Sequence, residues 1–194
     1  MAVCVLGSGC GCGCPSPTPV PVLHGTAVSY VLRLDQLPTS GFTADTTPHA
    51  VDPATVFAAA ADLAALRGAG LGGAATARYL QPAPVLATAN GPLDVVATVV
   101  AFSGVSGAHQ GMTRLSAQVD ARAGVGQVAA GDLGAESHAV TQTATAADGT
   151  VVVEVTVLWR VANLVNEMVV RGRLGGTGVG DAVVIANRQA AGER

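Results

Sequence analysis

Residues 137–173 read SHAVTQTATAADGTVVVEVTVLWRVANLVNEMVVRGR, and this stretch decides the fold. Asp148-Gly149 separates Ser137–Ala146 from Thr150–Arg160, and such a dipeptide suits a two-residue hairpin turn because both positions need positive φ. In the second segment Val151, Val153, Val155, Val157 and Trp159 alternate onto one face, with Glu154, Thr156 and Arg160 on the other. A break at Ala162-Asn163 gives a third segment, Leu164–Arg173, so a three-strand antiparallel meander is expected.

Downstream of the meander, Val179, Ala182, Val183, Ala186 and Ala190 form the inner stripe of a closing helix. Upstream, the β-branched run Leu93–Phe102 follows Asn90-Gly91-Pro92 and reads as a central strand. Ala108, Met112, Leu115 and Val119 then give a helical stripe. Asp52 before Pro53 is an N-cap with proline at the first helical position, and Val56, Phe57, Ala60, Leu63, Ala64 and Leu66 predict a helix lasting to Gly68. Tyr30–Leu34 predicts a first strand followed by a loop, Gly70–Tyr79 is ambiguous, and short strands are expected near Val85 and Val125. The order is β-α-β-α-β-β-β-α. It describes an α+β fold: an antiparallel sheet of about five to seven strands, ending in the three-strand meander and covered by three helices.

The 194 residues suit one domain, taken as residues 27–194, with residues 1–26 as a leader and tether. Charged residues are 12%, about half the usual share, while the mean hydropathy of +0.47 comes from scattered Ala and Val. All ten basic residues are Arg. With one Ile and four Asn, the missing Lys fits a high-GC bacterial gene. It also excludes Schiff-base lysines, phosphate-loop lysines and the protein-kinase lysine. A pI near 5.7, dispersed Arg and six aromatics argue against nucleic acid as a partner.

Cys4, Cys10, Cys12 and Cys14 all precede the Pro-rich run Pro15–Pro21, where they could close no loop of the body. Their spacing is unlike that of structural zinc sites, and no His pair follows. Gly7-Ser8-Gly9-Cys10-Gly11 places Cys12 at the third glycine position of a dinucleotide loop, and Pro15 blocks the helix that such a loop needs. The remaining readings are a low-complexity tail or an export leader in which Ser8-Gly9-Cys10 ends a lipobox and Cys10 is lipidated. Leu6 stands one position early for that motif, the apolar stretch is short, and no Arg precedes it. A start codon placed too far downstream would explain these departures. No run of about 20 apolar residues follows, so membrane attachment is expected through lipid alone.

Gly104-Val105-Ser106-Gly107-Ala108 lies between a strand and a helix, the context of a nucleophile elbow, and Asp132 and His138 follow in the order Ser, Asp, His. Ser103 or Ser106 would equally serve as a helix N-cap, and the antiparallel meander is foreign to the parallel hydrolase scaffold. His24, His49, His109 and His138 form no metal-spaced pair, which leaves His138 with Glu136 or Asp132 as the conceivable metal pairing. Trp159 beside Arg160 is read as core, with a cation–π contact as the alternative. Asp45, Asp52, Asp94, Glu154 and Glu167 show no acid/base pairing in sequence.

Several features resemble exported lipoproteins of actinomycetes. They are the small residues before Cys10, the Pro-rich tether, Leu34-Asp35-Gln36-Leu37-Pro38 with Gly41-Phe42, the Phe102 strand feeding the Ala108 helix, and Arg160-Val161-Ala162-Asn163 before a final helix. The element order resembles a PsbP-like fold more than a START-like or nuclear-transport-factor-like cone. The resemblance implies an extracytoplasmic, envelope-associated binding or accessory module without a catalytic residue or cofactor. Its partner would be a small or apolar ligand, held between sheet and helix, or an envelope protein. The rival reading is a small serine hydrolase using Ser106. A misread leader would instead make the domain cytoplasmic.

Overall fold

In the computed structural model, which describes residues 21–82, 90–146 and 148–193, the 137–173 stretch forms three consecutive antiparallel strands. The Cys cluster with Cys10, and the strand expected near Val85, lie outside the described residues. The strands are β1 Thr43–Val51, β2 Leu71–Leu80, β3 Asp94–Phe102, β4 Gly126–Val128, β5 Glu136–Thr145, β6 Val151–Val161 and β7 Leu164–Arg173. They form one sheet in the order β1-β2-β3-β7-β6-β5-β4, antiparallel at every pairing. The helices are α1 Ala27–Tyr30, α2 Ala60–Gly68, α3 Val105–Asp120 and α4 Val179–Ala191. The α+β reading therefore holds, with seven strands and four helices among the described residues.

Both faces of the sheet are covered. On one, Val153, Val155, Val157 and Trp159 pack with Ala75, Ala77, Tyr79, Val95, Met168 and Val170 beneath α1 and α4, whose Ala182, Ile185, Ala186 and Ala190 are fully buried. On the other, Val100, Phe102, Val140, Leu158 and Val165 lie under Ala108, Met112, Leu115 and Val119 of α3. Burying each large apolar side chain contributes about 1.5–3 kcal/mol, so the two cores fix the strand register. Trp159 and Arg160 consequently point to opposite faces. The indole is core, and the Arg160 guanidinium bonds Glu136 at 2.7 Å instead.

Three expectations need correction. Tyr30–Leu34 is not a strand: α1 ends at Tyr30, and Val31 and Leu32 plug the core. The Tyr79 hydroxyl donates to the Leu32 carbonyl at 2.6 Å, which satisfies this backbone group without a ladder. The first strand is instead the exposed edge Thr43–Val51, bulged twice and carrying Pro48. Asp52 does cap, accepting from Ala54 N–H at 2.9 Å, but the turn that follows is a short 3-10 helix over Pro53–Thr55. The Gln118 amide then holds Val56 C=O and Ala58 N–H, Phe57 enters the core, and α2 begins only at Ala60. Finally, the hairpin turn does not hold both Asp148 and Gly149 at positive φ: only Gly149, at φ +84°, has it, and Ala146 N–H donates to the Thr150 carbonyl. The Asp148 carboxylate accepts from Thr150 N–H, which holds its pKa below the ordinary value.

The turn into α3 is built from small residues for packing. Gly104, extended and without a side-chain cap bond, is its N-cap, so neither Ser103 nor Ser106 plays that part. A Cβ at Gly107 would strike the Ala69 carbonyl oxygen, and one at Gly111 would strike the Phe102 ring. The two glycines thus let α3 lie close on β3 and on the end of α2.

Candidate functional site

The face beneath α3 changes character along its length. Under the helix it is apolar, but toward the helix C-terminus the same face carries two polar rows set by strand register. One row runs Thr76–Thr98–Glu167 across β2, β3 and β7. The other runs Asp94–Arg171–Glu154–Gln142 across β3, β7, β6 and β5. Residues paired across antiparallel strands have side chains about 5 Å apart, so each row is a line of interacting groups.

Charge alternates along the second row. Arg171 donates to Glu154 at 2.6 Å and to Asp94 at 2.9 Å, while Arg78 from β2 forms a bidentate pair with Asp94 at 2.9 and 3.0 Å. Burial works against the Arg171 charge, yet its bonds to Asp94 and Glu154 raise its pKa overall. Bonding to Asp94 does the same for Arg78. The row is therefore a set of matched ion pairs.

Glu167 is matched less well. Arg122, just beyond α3, reaches it at 3.4 Å and reaches Glu154 at 3.7 Å, both longer than a good charged hydrogen bond. Its side chain is 14% exposed, and burial, with Glu154 adding to it, pushes the carboxyl pKa up although Arg122 opposes the shift. The Arg122 bond goes to Glu167 Oε1. A cavity of about 230 Å³ opens above it, walled by Thr76, Thr98, Arg122, Gln118 and the apolar Val51 and Val56. A larger groove of about 620 Å³ runs between α2 and α3, but Ala58, Ala59 and Ala117 contribute much of its wall and its Arg114–Asp62 ion pair is closed on itself.

Ser106, Asp132 and His138 are not assembled. Ser106 is exposed on the first turn of α3, Asp132 is exposed between β4 and β5, and His138 Nε2 bonds Asp120 Oδ1 at 2.8 Å at the other end of α3. Ser106 and Asp120 are separated by about 21 Å of helix. Glu136, weighed as a metal partner of His138, faces His109 and Arg160 instead. Burial would raise its pKa, but bonds from these two residues hold it below the ordinary carboxyl value. His24 and His49 are exposed.

Sequence periodicity does not reveal the polar rows as a site. Their trace in the sequence is the presence of Asp94 and Thr98, Glu154, and Glu167 and Arg171 inside otherwise apolar strands. Pairing them requires the sheet order.

A second buried polar group lies on the opposite face. Glu193, beyond α4, accepts from Asn166 at 3.2 Å and from Gln189 at 3.4 Å, and burial pushes its pKa up to about 7 against these bonds. Trp159 Nε1 and Gln189 Oε1, both buried, have no hydrogen-bond partner among the described residues.

No family model matches the sequence, and no curated protein matches it. Among solved structures the chain is similar to the extracellular domain of PknH from Mycobacterium tuberculosis, with a TM-score of 0.54 and 14% identity. The match covers 91% of this chain and 97% of that one. The likeness is one of fold. No described helix is long and apolar enough to cross a membrane.

Proposed function

We propose that this chain is an extracytoplasmic, non-enzymatic binding or accessory domain, anchored through lipid on Cys10, with its ligand held between sheet and helix above Glu167. The observation that carries the reading is the cavity over the Thr76–Thr98–Glu167 row. It gathers polar side chains and an under-matched carboxylate around one small, mostly polar opening, with Val51 and Val56 as its apolar part. The lipobox-like leader and the shared fold with an extracellular domain support the location.

The entry of the chain supports it too. Leu23 is bonded to Asn163 at the β6–β7 turn, whereas Asp94, Arg171 and Glu154 lie at the other strand ends, about 23 Å away. A tether leaving from Leu23 would keep the charged end of the sheet pointing away from a membrane.

Two measurements test the proposal. Expressed from its full locus in a high-GC bacterial host, the protein should gain a diacylglyceryl mass on a chain beginning at Cys10 and partition with membranes; unmodified cytosolic protein would refute the anchor. A fragment screen by 1H–15N correlation spectra should move the amides of Thr76, Thr98, Arg122 and Glu167 together. Perturbations confined to other surfaces would refute the site. A serine-reactive fluorophosphonate should leave the protein unlabelled.

A further inference from the structure

We propose that the cavity over Glu167 takes its ligand through a protonated amine, with the Glu167 carboxylate as counter-ion and the Thr98 hydroxyl as a second acceptor. This rests on the binding-domain reading above and adds the chemical class of the ligand.

The donors and acceptors on the cavity wall decide that class. Thr76 Oγ1 donates to the Ala97 carbonyl at 3.0 Å. The Gln118 carboxamide is spent at both ends, Nε2 donating to Val56 C=O at 2.9 Å and Oε1 accepting from Ala58 N–H at 3.0 Å. Arg122 is shared between Glu154 and Glu167. The hydroxyl and carboxamide donors are thus committed, Thr55 Oγ1 likewise to the Asp52 carbonyl at 2.7 Å, and beside the Arg122 guanidinium the lone pairs of Glu167 and of Thr98 Oγ1, which meets Thr76 Oγ1 at 3.3 Å, are what a ligand would find.

Charge points the same way. In this network Asp94, Glu154 and Glu167 face Arg78, Arg122 and Arg171, while Asp45 meets Arg78 at 3.7 Å from the exposed edge strand. Asp94 and Glu154 hold their arginines at 2.6–3.0 Å, so Glu167, with Arg122 at 3.4 Å, is the carboxylate held most loosely at the cavity. An ammonium group brings one positive charge and N–H donors in the same contact. An anion would meet the Glu167 carboxylate beside Arg122, and Arg122 already faces two carboxylates. The cavity admits a short alkyl body, which Val51 and Val56 would cover.

An isosteric series tells the amine apart from the site itself. n-Butylammonium, n-butanol and n-butyrate are titrated against the 15N-labelled protein at neutral pH, with the amides of Thr76, Thr98 and Glu167 and the side-chain carboxyl 13C of Glu167 as reporters. Butylammonium should move these reporters at the lowest concentration and lower the Glu167 titration midpoint. Glu167→Gln should weaken it by about tenfold or more, the loss of a charged hydrogen bond, and Thr98→Val by less. Equal or tighter binding of butanol or butyrate at the same residues would overturn the amine and leave the cavity as a site. Failure of all three probes to move the reporters would overturn both. If Glu167→Gln does not fold, Thr98→Val and the Glu167 midpoint of the unaltered protein decide the matter.

Discussion

The side chain of Asn163 clasps the backbone of Leu23 at both of its polar groups, accepting from the N–H at 2.7 Å and donating to the C=O at 3.1 Å. The same Nδ2 donates to the Phe102 carbonyl at 2.7 Å, so one buried amide joins the entering chain, the end of β3 and the β6–β7 turn. A buried polar group left unpaired costs about 1–3 kcal/mol. Asn163→Ala should therefore destabilise the domain by about 2 kcal/mol in urea denaturation and speed proteolytic cleavage ahead of Ala27. Unchanged cleavage would mean that the clasp does not hold the tether.

Gly107 and Gly111 should behave against helix propensity. Alanine in a helix interior is ordinarily favoured over glycine by about 1 kcal/mol. Here the added Cβ meets the Ala69 carbonyl or the Phe102 ring, and overpacking of this kind costs about 1–3 kcal/mol. Gly107→Ala and Gly111→Ala should each lower stability. Gly180→Ala in α4, where a Cβ meets open space, should raise it by about 0.5 kcal/mol. Chemical denaturation of the three variants reads the signs directly, and a gain from Gly107→Ala would show that α3 can shift.

The contrast explains what could be read from the sequence. β3, β6 and β7 stand out in the sequence as β-branched apolar runs because both of their faces are covered, and α3 and α4 stand out as stripes because each buries one face. β1 carries neither signal: as an edge strand whose Thr43–Thr47 are exposed throughout, it has no apolar alternation, and Pro48 argues against a strand. In β2 the run Gly72-Gly73-Ala74-Ala75 offers too little contrast in size. The break before α2 is hidden in the sequence because its cause, Gln118, lies 60 residues away. The site fails to show for the same reason. Thr76, Thr98 and Glu167 become neighbours only through the β2–β3–β7 register.

Glu167 makes a prediction about pH. Its folded-state pKa is raised, so between the unfolded and folded values the native state holds a proton that the unfolded chain has lost. Its contribution is fully present below the unfolded value and is lost as pH rises through the folded one. Glu167→Gln cannot ionise and should melt above the unaltered protein at pH 8, with the gap closing at acid pH. Thermal melts across that range check the sign. An unaltered protein more stable than the variant at pH 8 would mean that Arg122 matches the carboxylate fully.

Glu193 should act in the same direction from the opposite face, over a defined range of pH. The residue is 2% exposed among Asn166, Gln189 and Trp159, and burial raises its pKa from 4.5 to about 7. Below pH 4.5 both states are protonated and its stabilising share is complete; between pH 4.5 and about 7 the unfolded chain ionises first, and stability falls. A tenfold difference in proton affinity is worth about 1.4 kcal/mol, so the loss is roughly 3–4 kcal/mol, reached above pH 7. Glu193→Gln keeps a side chain of the same size and should remove that part of the slope, leaving the variant more stable than its parent at pH 8 and comparable to it at pH 4. Hydrogen exchange should localise the effect. Amides in the last turn of α4 should exchange faster in the parent as pH passes through 7, after correction for the intrinsic rate, and should show no such step in the variant. Equal corrected rates in both would mean that ionised Glu193 stays docked with Asn166 and Gln189.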